Sequence, residues 1–118
     1  MLKDLYIEVL IKEPNKKPEI IRIRNEVPRI QKILGGKFEI LEYTKDIFIM
    51  YNIESKKDEL KSNITFSGKE IKGDIIFIGN NIKEGDFRRL EESEIKQIDL
   101  EFTEHNKLNR EKHADLIL

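Results

Sequence analysis

Between Leu5 and Lys12 apolar and polar side chains alternate, with Leu5, Ile7, Val9 and Ile11 on one side and Tyr6, Glu8, Leu10 and Lys12 on the other. A period of two predicts a strand. Pro14 and Pro18 bracket a turn, because proline removes a ladder donor and fixes φ. Glu19 to Arg24 alternates again, so the two runs predict a hairpin. At Asn25 the period changes: Val27, Ile30, Ile33 and Leu34 predict a short helix capped by Asn25, carrying Pro28 in its first turn and stopped by Gly35-Gly36. A helix of about ten residues is marginal alone and needs its apolar stripe packed on a sheet. Lys37 to Tyr43 and Asp46 to Ile53 predict two more strands joined at Thr44-Lys45, the second apolar on both faces as a central strand is. Glu54 to Lys69 is polar and mixed and reads as loop, with a short strand at Ile64 to Phe66. Gly73 to Gly79 is a glycine-bounded apolar run, the clearest buried strand, with Phe77 in the core and Asn80-Asn81 as a turn. A turn at Gly85-Asp86-Phe87 precedes a second helix from about Glu91, along which Leu90, Ile95, Ile98 and Phe102 fall at helical spacing.

These elements predict an α+β fold: a single domain over residues 1–105, with about five strands in an antiparallel or mixed sheet and two helices covering it. Residues 106–118 read as a C-terminal tail ending in the apolar patch Leu116-Ile117-Leu118. At 118 residues the chain has room for one core of ordinary size.

Composition narrows the function classes more than it selects one. Lys and Arg number 22 against 23 Asp and Glu, so no global field draws in a polyanion, and nucleic acid and membrane are disfavoured as partners. With no cysteine, disulfides, thiolate metal sites and cysteine nucleophiles are excluded. The longest stretch without Lys, Arg, Asp or Glu is the eight residues Ile75 to Ile82, far short of the about 20 apolar residues of a membrane helix. The start of the chain is charged where a signal peptide is apolar, so a cytoplasmic protein is expected. Twenty Ile against two Val, with 16 Lys against six Arg, point to an AT-rich bacterial genome or a mobile element within one.

Motifs for chemistry are sparse. His105 and His113 are late and lack the spacing of a helical zinc pair, so no metal and no cofactor is expected. Gly68-Lys69 runs into Glu70 and is no phosphate loop, and Gly35-Gly36 follows a helix C-terminus, where the dipole repels anions. A carboxylate pair such as Glu39 with Asp74 is open to proposal, but spacing does not distinguish it from solvated residues. Charge patterning says more. Lys12, Lys16, Lys17, Arg22, Arg24 and Arg29 gather on the first hairpin and the start of the helix, whereas Glu91 to Glu104 holds six carboxylates against Lys96.

The order of features resembles a family known as the domain of unknown function 3846, found in bacteria, phages and mobile elements. The resemblance rests on the strand ending in Glu13-Pro14, Gln31 and Gly35-Gly36 after the helix, Glu39, the run Ile71 to Gly79, and Gly85-Asp86-Phe87 before Leu90 and Glu94-Ile95. It covers residues 5–98 and implies a small accessory protein of a mobile element, with no catalytic residue to transfer.

Two functional expectations follow. The first is a non-catalytic accessory protein that binds a host- or element-encoded protein, through an acidic helix face at Glu91, Glu92 and Glu94, in a counter-defence or regulatory role. The alternative is a small-ligand or nucleotide-binding domain, with or without hydrolytic activity, built on Arg22, Arg24, Asn63, Arg88 and Arg89. An enclosed cavity with converging polar groups favours the second, and a flat charged face the first. A homo-oligomer stays open.

Overall fold

Ile75, Ile76, Phe77 and Ile78 project apolar side chains to both sides of one strand, and a strand with no polar face must lie inside a covered sheet. The computed structural model describes residues 5–54 and 60–102 and shows how the chain covers it. The elements are β1 (Tyr6–Lys12), β2 (Glu19–Arg24), α1 (Val27–Leu34), β3 (Phe38–Thr44), β4 (Ile47–Asn52), β5 (Ser62–Phe66), β6 (Lys69–Lys72), β7 (Ile75–Asn81), β8 (Asp86–Arg88) and α2 (residues 92–102). The main sheet runs β2-β1-β7-β4-β3, each pairing antiparallel, and β8 lies beside the C-terminal part of β7 on the same side as β1. β5 and β6 form a separate two-stranded sheet. The fold is α+β.

Each face of the main sheet has its own cover. On one face Ile7, Val9, Ile23, Phe48, Met50, Ile76 and Ile78 pack with Ile30 and Leu34 of α1. On the other, Leu10, Ile47, Ile49, Tyr51, Ile75 and Phe77 pack with Ile64, Phe66 and Ile71 of the β5–β6 hairpin and with Ile95, Ile98 and Phe102 of α2. Helix α1 ends where expected: Gly35 takes a left-handed φ of 86°, and the Gly36 N–H donates to Gln31 O at 2.9 Å.

The structure differs from the sequence reading in four places. Within Glu54 to Lys69 the short strand expected at Ile64 to Phe66 is longer, Ser62–Phe66, and pairs with an unexpected strand β6, so that the hairpin's apolar side chains close the second face. Asn25 does not cap α1. Its buried side chain donates to Phe87 O at 3.1 Å, and Glu26 takes the cap position without a side-chain bond. Asn80-Asn81 is no turn, because both residues extend β7 by pairing with Phe87 and Asp86, which moves the reversal to Ile82–Glu84 and Gly85. Gly85-Asp86-Phe87 is accordingly a turn residue followed by strand. The proposed tail, residues 106–118, with His105 and His113, lies outside the described residues.

Phe77 is fully buried at the centre of the second face, with Tyr43 edge-on at 5.4 Å and Phe102 at 5.5 Å between ring centroids. Truncating a buried Phe costs about 3–5 kcal/mol. Phe77→Ala is expected to lower the melting temperature by more than about 10 °C in calorimetry, and a variant melting like the parent would contradict this packing.

Candidate functional site

Among the clefts at the surface of the described residues, three open ones gather polar side chains. The first lies between β4 and the β5–β6 hairpin. It holds about 480 Å³ and is lined by Glu39, Tyr51, Ile53, Leu60, Lys69 and Glu70 among others. Antiparallel pairing places Glu39 opposite Tyr51, so the phenol reaches the carboxylate: Tyr51 OH donates to Glu39 Oε2 at 2.6 Å. Lys69 Nζ donates to the same phenol oxygen at 2.6 Å, lies 3.7 Å from Glu39 Oε2 and sits 4.9 Å from the Tyr51 ring centroid. Burial, and then the bond to Glu39, pushes the Tyr51 phenol above its ordinary value, so it keeps its proton at neutral pH and is not a base. The cluster satisfies itself and joins the hairpin to the sheet. Glu39 and Asp74 have separate surroundings: Asp74 is raised by burial, then by Glu13, against the lowering effect of Lys16.

The second cleft, about 520 Å³, borders Thr44, Lys45, Asp46, Arg88, Glu91 and Glu94. Here Arg88 and Glu94 form a two-pronged pair, Nη1 to Oε1 at 2.8 Å and Nη2 to Oε2 at 2.9 Å. Glu94 Oε1 also accepts the Glu91 backbone N–H at 2.8 Å, the return bond of a capping box at the start of α2. Arg88 Nη2 further donates to Asp46 O at 2.9 Å. Gly79 makes this possible, because a Cβ there would stand 2.5 Å from Arg88 Cγ and 2.7 Å from Arg88 O. Arg88 and Glu94 are thereby committed to holding β8, α2 and the β3–β4 turn together. Of the expected acidic trio, Glu91 and Glu92 remain exposed and Glu94 does not.

Asn63, expected as a ligand contact, is a clamp. Its Nδ2 donates to Lys12 O and to Gly73 O, both at 2.7 Å, and its Oδ1 accepts from Lys12 Nζ at 2.8 Å. Lys12 is 4 % exposed, with Nζ 5.8 Å from the Phe102 ring centroid, and burial pushes its ammonium below the ordinary lysine value. Sequence alternation placed Lys12 on a polar face; nothing local marks it as buried, since its partner is 51 positions away.

The third cleft, about 480 Å³, is lined by Tyr6, Ile7, Glu8, Arg22 and Arg89. It unites two of the expected arginines. Arg24 is turned instead to Glu26, with Nε 3.2 Å from Oε2. Arg22 lies with Cζ 5.4 Å from the Tyr6 ring centroid.

The comparisons with known proteins bear on this arrangement through one family. The model of a domain of unknown function, DUF3846, matches residues 7–104. The chain belongs to that family. Neither a curated protein nor a solved structure matches it. The DUF3846 match spans the described elements from β1, of which it leaves out only Tyr6, to α2, so the Asn63 clamp, the Arg88–Glu94 pair and the clefts, Tyr6 of the third excepted, lie within the family domain. Among the described residues of this DUF3846 domain, no group of three His, Asp or Glu side chains is placed to hold a metal ion, and no helix is long and apolar enough to cross a membrane.

Arg88 holds the Glu94 carboxyl below its ordinary value of 4.5. A carboxyl lowered in the folded state contributes stability that is complete above its unfolded value and is lost as pH falls through the folded one. Glu94→Gln is therefore expected to lower stability at pH 7 by about 1 kcal/mol, discounted for partial exposure, or roughly 4 °C in melting temperature. The gap between parent and variant should hold down to about pH 4.5 and shrink below it. A gap unchanged through acid titration would contradict the pair's role.

Proposed function

We propose that this is a non-catalytic, cytoplasmic accessory protein of a phage or mobile element that acts by binding a host- or element-encoded protein, in a counter-defence or regulatory role. The observation that supports the reading is the outer face of α2. Its inner residues Ile95, Ile98 and Phe102 are spent on the core. Its outer side carries exposed Glu92, Asp99 and Glu101, with exposed Glu91 just before its first turn and Leu100 59 % exposed between the last two carboxylates. An uncovered leucine framed by carboxylates suits a basic partner with an apolar contact at its centre. Lys96, within 3.5 Å of Glu92, offsets little of that charge. The proposed origin draws on the Ile- and Lys-rich composition and on the family resemblance.

The alternative reading, a nucleotide-binding domain, is favoured by a separate observation, the convergence of Arg22 and Arg89.

Charge on an exposed face steers association and is screened by salt. The double variant Glu91→Lys/Glu92→Lys, with Glu94 left native because it holds Arg88, is expected to melt within about 2 °C of the parent, as exposed substitutions do. In affinity capture from bacterial lysate the parent should retain a protein that the variant loses, and that protein should elute at raised ionic strength. Equal capture by both would remove this face as the binding surface.

A further inference from the structure

We propose that the cleft between the β1–β2 hairpin and the β8–α2 connection binds a nucleoside monophosphate, independently of the acidic face of α2. In the β1–β2 register Glu8 is opposite Arg22 and Tyr6 opposite Arg24, so all four side chains lie on the same sheet face as Leu10. Farther along that face Leu10 is buried, yet at this end Tyr6, Glu8 and Arg22 are exposed. The face has run past the helix and the hairpin that cover the rest of it. Arg89 is delivered there by the backbone: the next residue, Leu90, is buried and donates its N–H to Glu8 O at 3.0 Å.

The arginines of this region divide by partner. Arg88 is consumed by Glu94 and Arg24 by Glu26. For Arg22 and Arg89, no carboxylate among the described residues lies within ion-pair distance, and both line one cleft. Guanidinium groups offer paired N–H donors that match phosphate oxygens. The stacking of Arg22 on Tyr6, 5.4 Å from the ring centroid, restricts the guanidinium before any ligand arrives.

Two further groups define what accompanies the anion. Glu8 lines the same cleft beyond ion-pair distance of either guanidinium, and its acceptor-only carboxylate is unsuited to a second anion and suited to hydroxyl donors such as those of a ribose. Tyr6, 50 % exposed, presents an aromatic ring on which a base can stack. A volume of about 480 Å³ suits one nucleotide. A net charge of −1 gives none of the broad positive field that holds a nucleic acid strand.

Isothermal titration of the full chain with AMP and UMP, and with ribose 5-phosphate and adenosine as fragments, tests the assignment. Saturable one-to-one binding of both nucleotides is expected, tighter than either fragment by at least about fivefold. Arg22→Ala and Arg89→Ala should each weaken AMP by about tenfold, the loss of a charge-assisted contact. Tyr6→Ala should bring AMP down to the level of ribose 5-phosphate. Arg24→Ala, turned away to Glu26, should leave affinity unchanged. Melting curves of all variants should stay near the parent, since the substituted side chains are exposed. No saturable binding of either nucleotide, adenosine or ribose 5-phosphate binding as well as AMP, or arginine variants binding as the parent does would overturn the proposal.

Discussion

The rest of the structure answers one constraint: a central strand apolar on both faces. β7 is paired on both edges, by β4 on one side and by β1 and β8 on the other, and Ile75 to Ile78 are fully buried. One short helix covers one face. The other needs both α2 and the β5–β6 hairpin, two elements distant in sequence that meet over Phe77 and Tyr43. Burial of this kind supplies most of the driving force for a domain of this size, and eight residues of α1 would not persist without it.

Several polar groups caught inside the same layers join elements to one another, while Asn25 Oδ1 and Tyr43 OH have no hydrogen-bond partner among the described residues. Asn63 spends both donors and its acceptor on Lys12 and Gly73, and so fixes β5 to the end of β1 and to the approach to β7. Asn25 links the end of β2 to β8, and Arg88 links β8 to α2 and to the β3–β4 turn. An unpaired buried amide or ammonium costs a large part of a domain's net stability, which is why these bonds decide where the peripheral elements sit. Arg22 and Arg89 have no such duty, and their position on the uncovered end of the sheet sets them apart from the other arginines of the region.

Periodicity made much of this legible. The β1–β2 hairpin, the β3–β4 pair, the run at Phe77, the glycine stop after Leu34 and the two helices follow from spacing and turn chemistry. Where the sequence misled, the reason was a distant partner. Ser62 to Lys72 looks polar because its strands turn Ile64, Phe66 and Ile71 onto the core and leave Ser62, Thr65, Lys69 and Glu70 exposed. Lys12 reads as surface and is buried, and Asn63 reads as a ligand contact and is a clamp, because each is the other's partner across 51 positions. Arg88 and Arg89 are neighbours of one type with opposite fates that part where β8 ends: one turns to Glu94, the other to the cleft of Tyr6 and Arg22.

β7 is the spine on which both layers depend. Native-state hydrogen exchange reads this strand by strand, because amides that open only by global unfolding report the full stability and edge amides exchange through smaller openings. Ile76, Phe77 and Ile78 are expected to exchange with the free energy of global unfolding, and the outer amides of β2 and β3 through local openings. β7 amides exchanging faster than those edges would contradict it.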